Sequence, residues 1–245
     1  MRYLISDIHG CYEEYRELLD QIHFSDQDKL YILGDVMDRG PQPIRVMQDI
    51  MARSNVIYII GNHDYEFFHF MKKLIGKKAG ENLKDKLTEE ELDAFAGWLQ
   101  DGGSVTLRQF SELSLKEGRT MLEYLADASL YEILREKGKT FLLVHAGIDN
   151  FSEDRDLDEY DFFDFISSRP DYTQRYYQSE AVYVVTGHTP TPLIREDGLP
   201  LVYQGNGHIA IDCGCVFGGQ LAAYCIESGK ISYVKSKGYE GGDRR

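Results

Sequence analysis

Short apolar runs, each cut off by a polar motif, are the feature that most restricts what this chain can fold into. Arg2–Ser6, Lys29–Leu33, Val56–Ile60, Thr140–Val144 and Ala181–Thr186 have strand length and are rich in β-branched or large apolar residues. Each leads directly into polar residues: Asp7-Ile8-His9-Gly10, Gly34-Asp35-Val36-Met37-Asp38-Arg39-Gly40, Gly61-Asn62-His63-Asp64, His145-Ala146-Gly147 and Gly187-His188-Thr189-Pro190. That order places the polar groups in loops at the C-terminal ends of strands, where α/β proteins build their sites.

Helical patterns separate the early strands. Tyr15, Leu18, Leu19 and Ile22 share one face, as do Ile44, Met47, Ile50 and Met51. Residues 1–64 therefore read β-α-β-α-β. From Tyr65 the period becomes helical, with an apolar stripe of Phe67, Phe70, Met71, Leu74 and Ile75. Thr88-Glu89-Glu90-Glu91 reads as a capping box opening a helix that carries Leu92, Phe95, Ala96 and Leu99. Residues 65–128 are expected to form a helical insertion on one domain spanning 1–245, with Gly76–Asp85 as a charged connection. Asp149–Asp164 is acidic and reads as a solvated loop and short helix. Strands are expected from Ile209 onward, with Gln220–Ile226 and Ile231–Val234 flanking a hairpin turn at Glu227-Ser228-Gly229-Lys230. Gly238–Arg245 reads as a frayed tail.

Composition narrows the function. The net charge of −14 argues against broad binding of nucleic acid or an anionic membrane. A phosphate substrate is not excluded, because bound cations reverse the local field. No apolar run reaches the roughly 18 residues of a membrane span, and the N-terminus has no small-residue cleavage site, so a cytoplasmic protein is expected. Cys11, Cys213, Cys215 and Cys225 read as reduced, buried thiols rather than a disulfide framework.

A single histidine at a strand end is ordinarily a structural residue. Here His9, His63, His145 and His188 all fall in such loops beside or near glycine, while His23, His69 and His208 sit in helical or strand patterns. Asp7 and His9, two apart on an extended segment, point the same way and can reach one cation together. Asp35 can bridge two cations through its two oxygens. Arg39 offers a planar fork for phosphate. Carboxylate, amide and imidazole donors without thiolate suit Mn2+, Fe or Zn2+ in a reactive site better than a structural zinc.

In this order the motifs resemble the metallophosphoesterase (calcineurin-like) superfamily, and within it most resemble the bacterial and phage branch of the PPP-type serine/threonine protein phosphatases. The resemblance runs from Tyr3 to about Ile226 and takes in Ile211-Asp212-Cys213-Gly214-Cys215-Val216-Phe217-Gly218-Gly219. It implies two mixed β-sheets in a sandwich flanked by helices. It also implies two divalent cations, Mn2+ first and Fe or Zn2+ as alternatives. Asp7, His9 and Asp35 would hold one cation, and Asp35, Asn62, His145 and His188 the other. His63 would protonate the leaving group, oriented by Asp38. Arg39 and a second arginine, Arg169 with Arg175 as rival, would bind phosphoryl oxygens.

The activity implied is phosphomonoester hydrolysis by direct attack of metal-activated water. It would be that of a serine/threonine, or dual-specificity, protein phosphatase acting on phosphoproteins, phosphopeptides or small phosphoesters. The alternative is a symmetrical diadenosine tetraphosphate hydrolase, whose second motif typically carries alanine where this chain has Asp38. Phosphodiesterases of the superfamily usually end in Gly-His-x-His, and Pro190 stands at that last position. A non-catalytic module on the same fold usually loses ligands, and none is missing here.

Overall fold

The computed structural model describes residues 1–76 and 82–238. The chain opens with β1 (Arg2–Ile5), α1 (Tyr12–Gln21), β2 (Lys29–Leu33), α2 (Pro43–Met51), β3 (Val56–Ile59) and α3 (Asn62–Leu74). A helical stretch follows: α4 (Glu89–Trp98), α5 (Ser104–Ser111) and α6 (Leu115–Ala126). Then come β4 (Tyr131–Glu136), β5 (Lys139–Val144), α7 (Phe162–Ile166), β6 (Val182–Thr186), β7 (Tyr203–Gly205), β8 (His208–Ala210), β9 (Gln220–Cys225) and β10 (Ile231–Lys235).

The strands form two five-stranded mixed sheets, ordered β10-β9-β1-β2-β3 and β4-β5-β6-β8-β7. Parallel pairs carry the motifs: β1 with β2, β2 with β3, β5 with β6 and β6 with β8. Antiparallel strands close every edge but that of β3. Side chains alternate across each strand and so serve two cores. Leu4, Tyr31, Leu33, Leu143 and Val185 meet between the sheets. Ile5, Leu30 and Ile32 face the other way, onto α1, α2 and the helical stretch through Leu18, Met47, Phe67 and Leu125. Leu142, Val144 and Val184 cover the outer face of the second sheet against Phe165 and Ile166. Each such fully buried side chain contributes about 1.5–3 kcal/mol from removal of apolar area from water.

The predicted strands and helices of residues 1–64 are present, as is the sandwich with flanking helices. Three details differ. The first helix beyond β3 starts at Asn62, not at Tyr65, so the third motif is itself the opening turn, with the Asp64 carboxylate accepting the Gly61 N–H at 3.0 Å. The segment Tyr131–Glu136 is a strand that pairs with β5 through the tight turn Lys137-Gly138, both at positive φ. His23 lies just past α1 in a turn at φ 53°, outside a regular pattern. The connection at Gly76–Asp85 and the tail from Gly238 fall partly outside the described residues. All four cysteines are free and buried. Among the described residues no helix is long and apolar enough to cross a membrane.

Candidate metal centre and active site

The motif loops converge at the strand ends, and their backbone is strained. Asp7, His9, Asp35, Asp38, Arg39 and His188 all take positive φ, between 41° and 71°. Each such non-glycine residue costs about 1–3 kcal/mol, a cost borne where surrounding structure fixes the geometry. Part of that fixing comes from Asp64. Its carboxylate accepts the backbone N–H groups of Asp35 (2.7 Å), Val36 (3.0 Å), Met37 (3.1 Å) and Gly61 (3.0 Å), so one buried side chain clamps the second motif to the third.

Asp35 stands at the centre. Its Oδ2 is 3.6 Å from His9 Nε2 and 3.5 Å from His145 Nε2. Potential ligand atoms of His9, Asp35 and His63 lie within 4.8 Å of one another, and so do those of Asp35, His145 and His188; Asp35 belongs to both groups. Asn62 Oδ1 lies 3.1 Å from His145 Nε2 and 3.0 Å from His188 Nδ1. Asp7 accepts the backbone N–H of His188 at 3.0 and 3.1 Å. A Cβ on Gly187 would come within 2.2 Å of Asp7 Oδ2, so only glycine admits that approach.

The protonation pattern is that of a cation site. His9 and His145 each donate from Nδ1 to a backbone carbonyl, of Met37 and Leu33, both at 2.7 Å. A carbonyl only accepts, so each ring turns the bare Nε2 toward Asp35. Burial first, then nearby positive groups, push both histidines well below their usual range. Burial also raises the carboxyls, with Asp212 adding for Asp7 and with Asp7 and Asp64 adding for Asp35. Asp212, held by the Gly214 N–H at 2.8 Å, is pushed up to about 6. Neutral imidazoles that turn bare nitrogens toward crowded buried carboxyl groups leave a place for positive charge, and these donors fit two divalent cations.

Beside this centre lies a proton-bearing group. Asp38 Oδ2 accepts His63 Nδ1 at 2.9 Å and Trp98 Nε1 at 2.8 Å, while Oδ1 accepts the Thr106 hydroxyl at 2.6 Å. Thr106 Oγ1 in turn accepts Asp38 N at 2.9 Å. Trp98 and Thr106 come from the helical stretch, on either side of a kink at Asp101-Gly102-Gly103. A Cβ on Gly103 would fall 2.2 Å from the Trp98 ring, and Gly102 O accepts Arg39 N at 3.2 Å. Asp101 takes Arg39 through both oxygens and sets Oδ2 3.5 Å from His63 Nε2. Arg39 Nη1 meets His9 Nε2 at 2.9 Å.

All the residues singled out in the first, second, third and fifth motifs, with His145 of the fourth, are thus brought together. Arg169 and Arg175 are not in that cluster. They line a neighbouring cavity, with Arg169 near enough to His188 to help burial lower it to about 4. The sequence reading missed Asp64, Trp98, Asp101 and Thr106. Asp64 had a signal, an acidic residue three positions after Gly61. The Gly102-Gly103 pair inside a helical pattern signalled a break, but nothing in the sequence joined Trp98 to Asp38.

The fold resembles that of solved phosphoesterases. A putative diadenosine tetraphosphatase aligns with a TM-score of 0.65 at 20% identity, covering 98% of this chain and 94% of that one. A Saccharomyces cerevisiae protein serine/threonine phosphatase aligns at 0.55 and 12% identity, covering 99% and 81%. Among curated proteins, the asymmetrical bis(5'-nucleosyl)-tetraphosphatase of Halalkalibacterium halodurans is 28% identical, over 90% of this chain and 87% of its own length. The symmetrical bis(5'-nucleosyl)-tetraphosphatase of Erwinia tasmaniensis is 36% identical over 100 residues, 40% of this chain and only 36% of that protein. The profile of calcineurin-like phosphoesterases matches residues 3–226. With its strand-end histidines and carboxylates gathered around Asp35, the chain belongs to the calcineurin-like phosphoesterase family.

Proposed function

We propose that this protein hydrolyses phosphoanhydride bonds of dinucleoside tetraphosphates. The observation that carries the reading is the relation to the asymmetrical tetraphosphatase of H. halodurans, which extends over 90% of this chain. This favours the alternative of the sequence reading over the protein phosphatase preferred there on Asp38.

Asp7, His9 and Asp35 would hold one cation, and Asp35, Asn62, His145 and His188 the second, with Mn2+ first among the metals this donor set accepts. When bound, the pair supplies Lewis acidity toward water and phosphoryl oxygen. The remaining work falls to the chain itself. Arg39 Nη1 rests on His9 Nε2, the nitrogen that would hold a cation, and would then have its donor free for a phosphoryl oxygen. The guanidinium fork then offsets charge on the transferring group. Asp38 fixes the proton of His63 on Nδ1 and, when the ring is protonated, leaves the Nε2 proton for the departing oxygen. Arg169 is the second phosphate-binding residue.

One observation supports a second reading, phosphomonoester hydrolysis. A buried Asp38–His63 pair serves an alkoxide leaving group, which departs poorly without a proton. A nucleotide phosphate departs from an anhydride with far less need of one.

The test compares diadenosine tetraphosphate, a phosphopeptide and p-nitrophenyl phosphate under Mn2+, with and without chelator. Chelator-sensitive conversion of the dinucleotide to ATP plus AMP, or to two ADP, supports the proposal, and the product pair gives the cleavage position. Turnover of the phosphopeptide alone would replace it with the second reading. No turnover with any divalent metal would sink both.

A further inference from the structure

The segment after β5 builds a cavity of about 340 Å3 that no motif accounts for. Its walls include Asn150, Ser168, Arg169, Arg175 and Tyr176. It adjoins the metal centre through the chain. His145 is a candidate ligand, Ala146 N donates to Phe165 O at 2.9 Å, and Ile148 exchanges two hydrogen bonds with Tyr176 Oη at 3.1 and 2.7 Å. The fourth motif and the arginine-bearing segment are thereby held as one unit.

The charges in this cavity are unusual for so acidic a chain. Arg169 and Arg175 each present a fork of N–H donors, and among the described residues neither makes a hydrogen bond or ion pair. Two aspartates line the same space, and each accepts hydrogen bonds from its own loop. Asp149 Oδ1 accepts Asn150 N at 3.0 Å. Asp171 accepts Thr173 N, Thr173 Oγ1 and Gln174 Nε2. Ser168 adds a buried hydroxyl with no partner. Unpaired guanidinium forks beside an unsatisfied buried hydroxyl are donors without an acceptor, and a phosphate chain supplies acceptors for all three. The volume lies within the range of pockets that enclose small ligands.

We propose that this cavity is a subsite for the phosphates that are not attacked. Arg175 and Ser168 would grip the distal part of a polyphosphate chain whose scissile phosphoryl group lies at Arg39 and the metal centre, with Arg169 between them. The inference rests on the proposed substrate class, which it deepens. It assigns discrimination between a long polyphosphate and a short monoester to Arg175, a residue outside every motif.

The test is chosen so that the two ideas fail separately. Binding of inorganic tripolyphosphate to metal-free protein is measured by calorimetry for wild type, Arg39→Gln, Arg175→Gln and Arg175→Lys. The expected result is about tenfold weaker binding in Arg175→Gln, the size of one lost charge-assisted contact. Arg175→Lys should fall between it and wild type. For Arg175→Gln, KM for diadenosine tetraphosphate should rise about tenfold at similar kcat. Equal tripolyphosphate binding in wild type and both Arg175 variants would overturn the subsite. So would loss confined to Arg39→Gln. Wild-type protein that binds tripolyphosphate through Arg175 but leaves dinucleotides intact would keep the subsite and remove the proposed substrate.

Discussion

Asp101 holds Arg39 through both carboxylate oxygens, at 3.2 and 3.1 Å from Nη2, and the same Oδ2 stands 3.5 Å from His63 Nε2. Under the roles proposed for Arg39 and His63, this acid from the helical stretch occupies the side that a phosphoryl group would approach. It stands in for the anion and competes with it. The Asp101 side chain is 62% exposed, so the pair is screened and worth about 0.2–1 kcal/mol. Asp101→Asn should therefore strengthen inhibition by inorganic phosphate by up to about fivefold at low salt, with less effect at high salt. An inhibition constant that stays put or weakens in this variant would show that Asp101 supports phosphate binding instead.

Trp98 and Thr106 act on the reaction only through Asp38, and therefore through His63. Trp98→Phe and Thr106→Val each remove one donor to a buried carboxylate, a loss of about 1.5–3 kcal/mol when the acceptor is charged. The expected effect is a fall in kcat of about tenfold or more on esters with poor leaving groups and a smaller fall on p-nitrophenyl phosphate. An equal fall on both substrates would mean that these residues serve the metal centre rather than proton delivery. Gly103→Ala should lower kcat as well, since the added methyl group would have to displace the Trp98 ring.

His63 lies within ligand distance of His9 and Asp35, yet its Nδ1 is held by Asp38. His63→Asn should leave bound metal per chain, read by elemental analysis, near the wild-type value. Turnover on poor leaving groups should drop about 10²–10⁴-fold, the contribution of a positioned acid. Loss of one equivalent of metal would make His63 a ligand.

Metal uptake should depend on pH through carboxylates rather than histidines. Burial and neighbouring acids hold Asp7 and Asp35 well above their usual range, so the metal-free protein keeps protons there to higher pH than ordinary carboxyls do. The histidines are lowered, His188 to about 4, and are already neutral. A cation requires the ionised carboxylate, so binding expels protons, and affinity rises with pH until the metal-free carboxyls ionise on their own. Calorimetry of Mn2+ binding from about pH 5 to about pH 8, in buffers of different ionisation enthalpy, should report net proton release that shrinks with rising pH. Zero release throughout would show those carboxylates already charged. Because the cations bind the folded chain, a chelator should also lower the unfolding midpoint.

The strands carrying the motifs were legible in the sequence because parallel strands buried on both faces read as continuous apolar runs. Their loops were legible because few structures need a carboxylate, an amide and histidines at successive strand ends. Strand Tyr131–Glu136 was not legible: it lies at a sheet edge, its apolar and charged residues follow no alternation, and Ile133 is exposed. The support of Asp38 was hidden for a different reason. Trp98 and Thr106 are 60 and 68 residues away, and their helices carry an ordinary apolar pattern that says nothing of one indole N–H. Arg175 matched no motif, and its unpaired state is a property of the folded cavity alone.

The bond from Trp98 to Asp38 also makes the protein its own spectroscopic probe. The chain has a single tryptophan, and its buried indole N–H ends on the carboxylate that holds His63. Emission from that ring senses the local field at one oxygen. Displacement of His63 or entry of an anion beside Arg39 would each change its wavelength or intensity, with no label attached. The tryptophan emission of the molecule is therefore a signal from the carboxylate that holds its proposed proton donor.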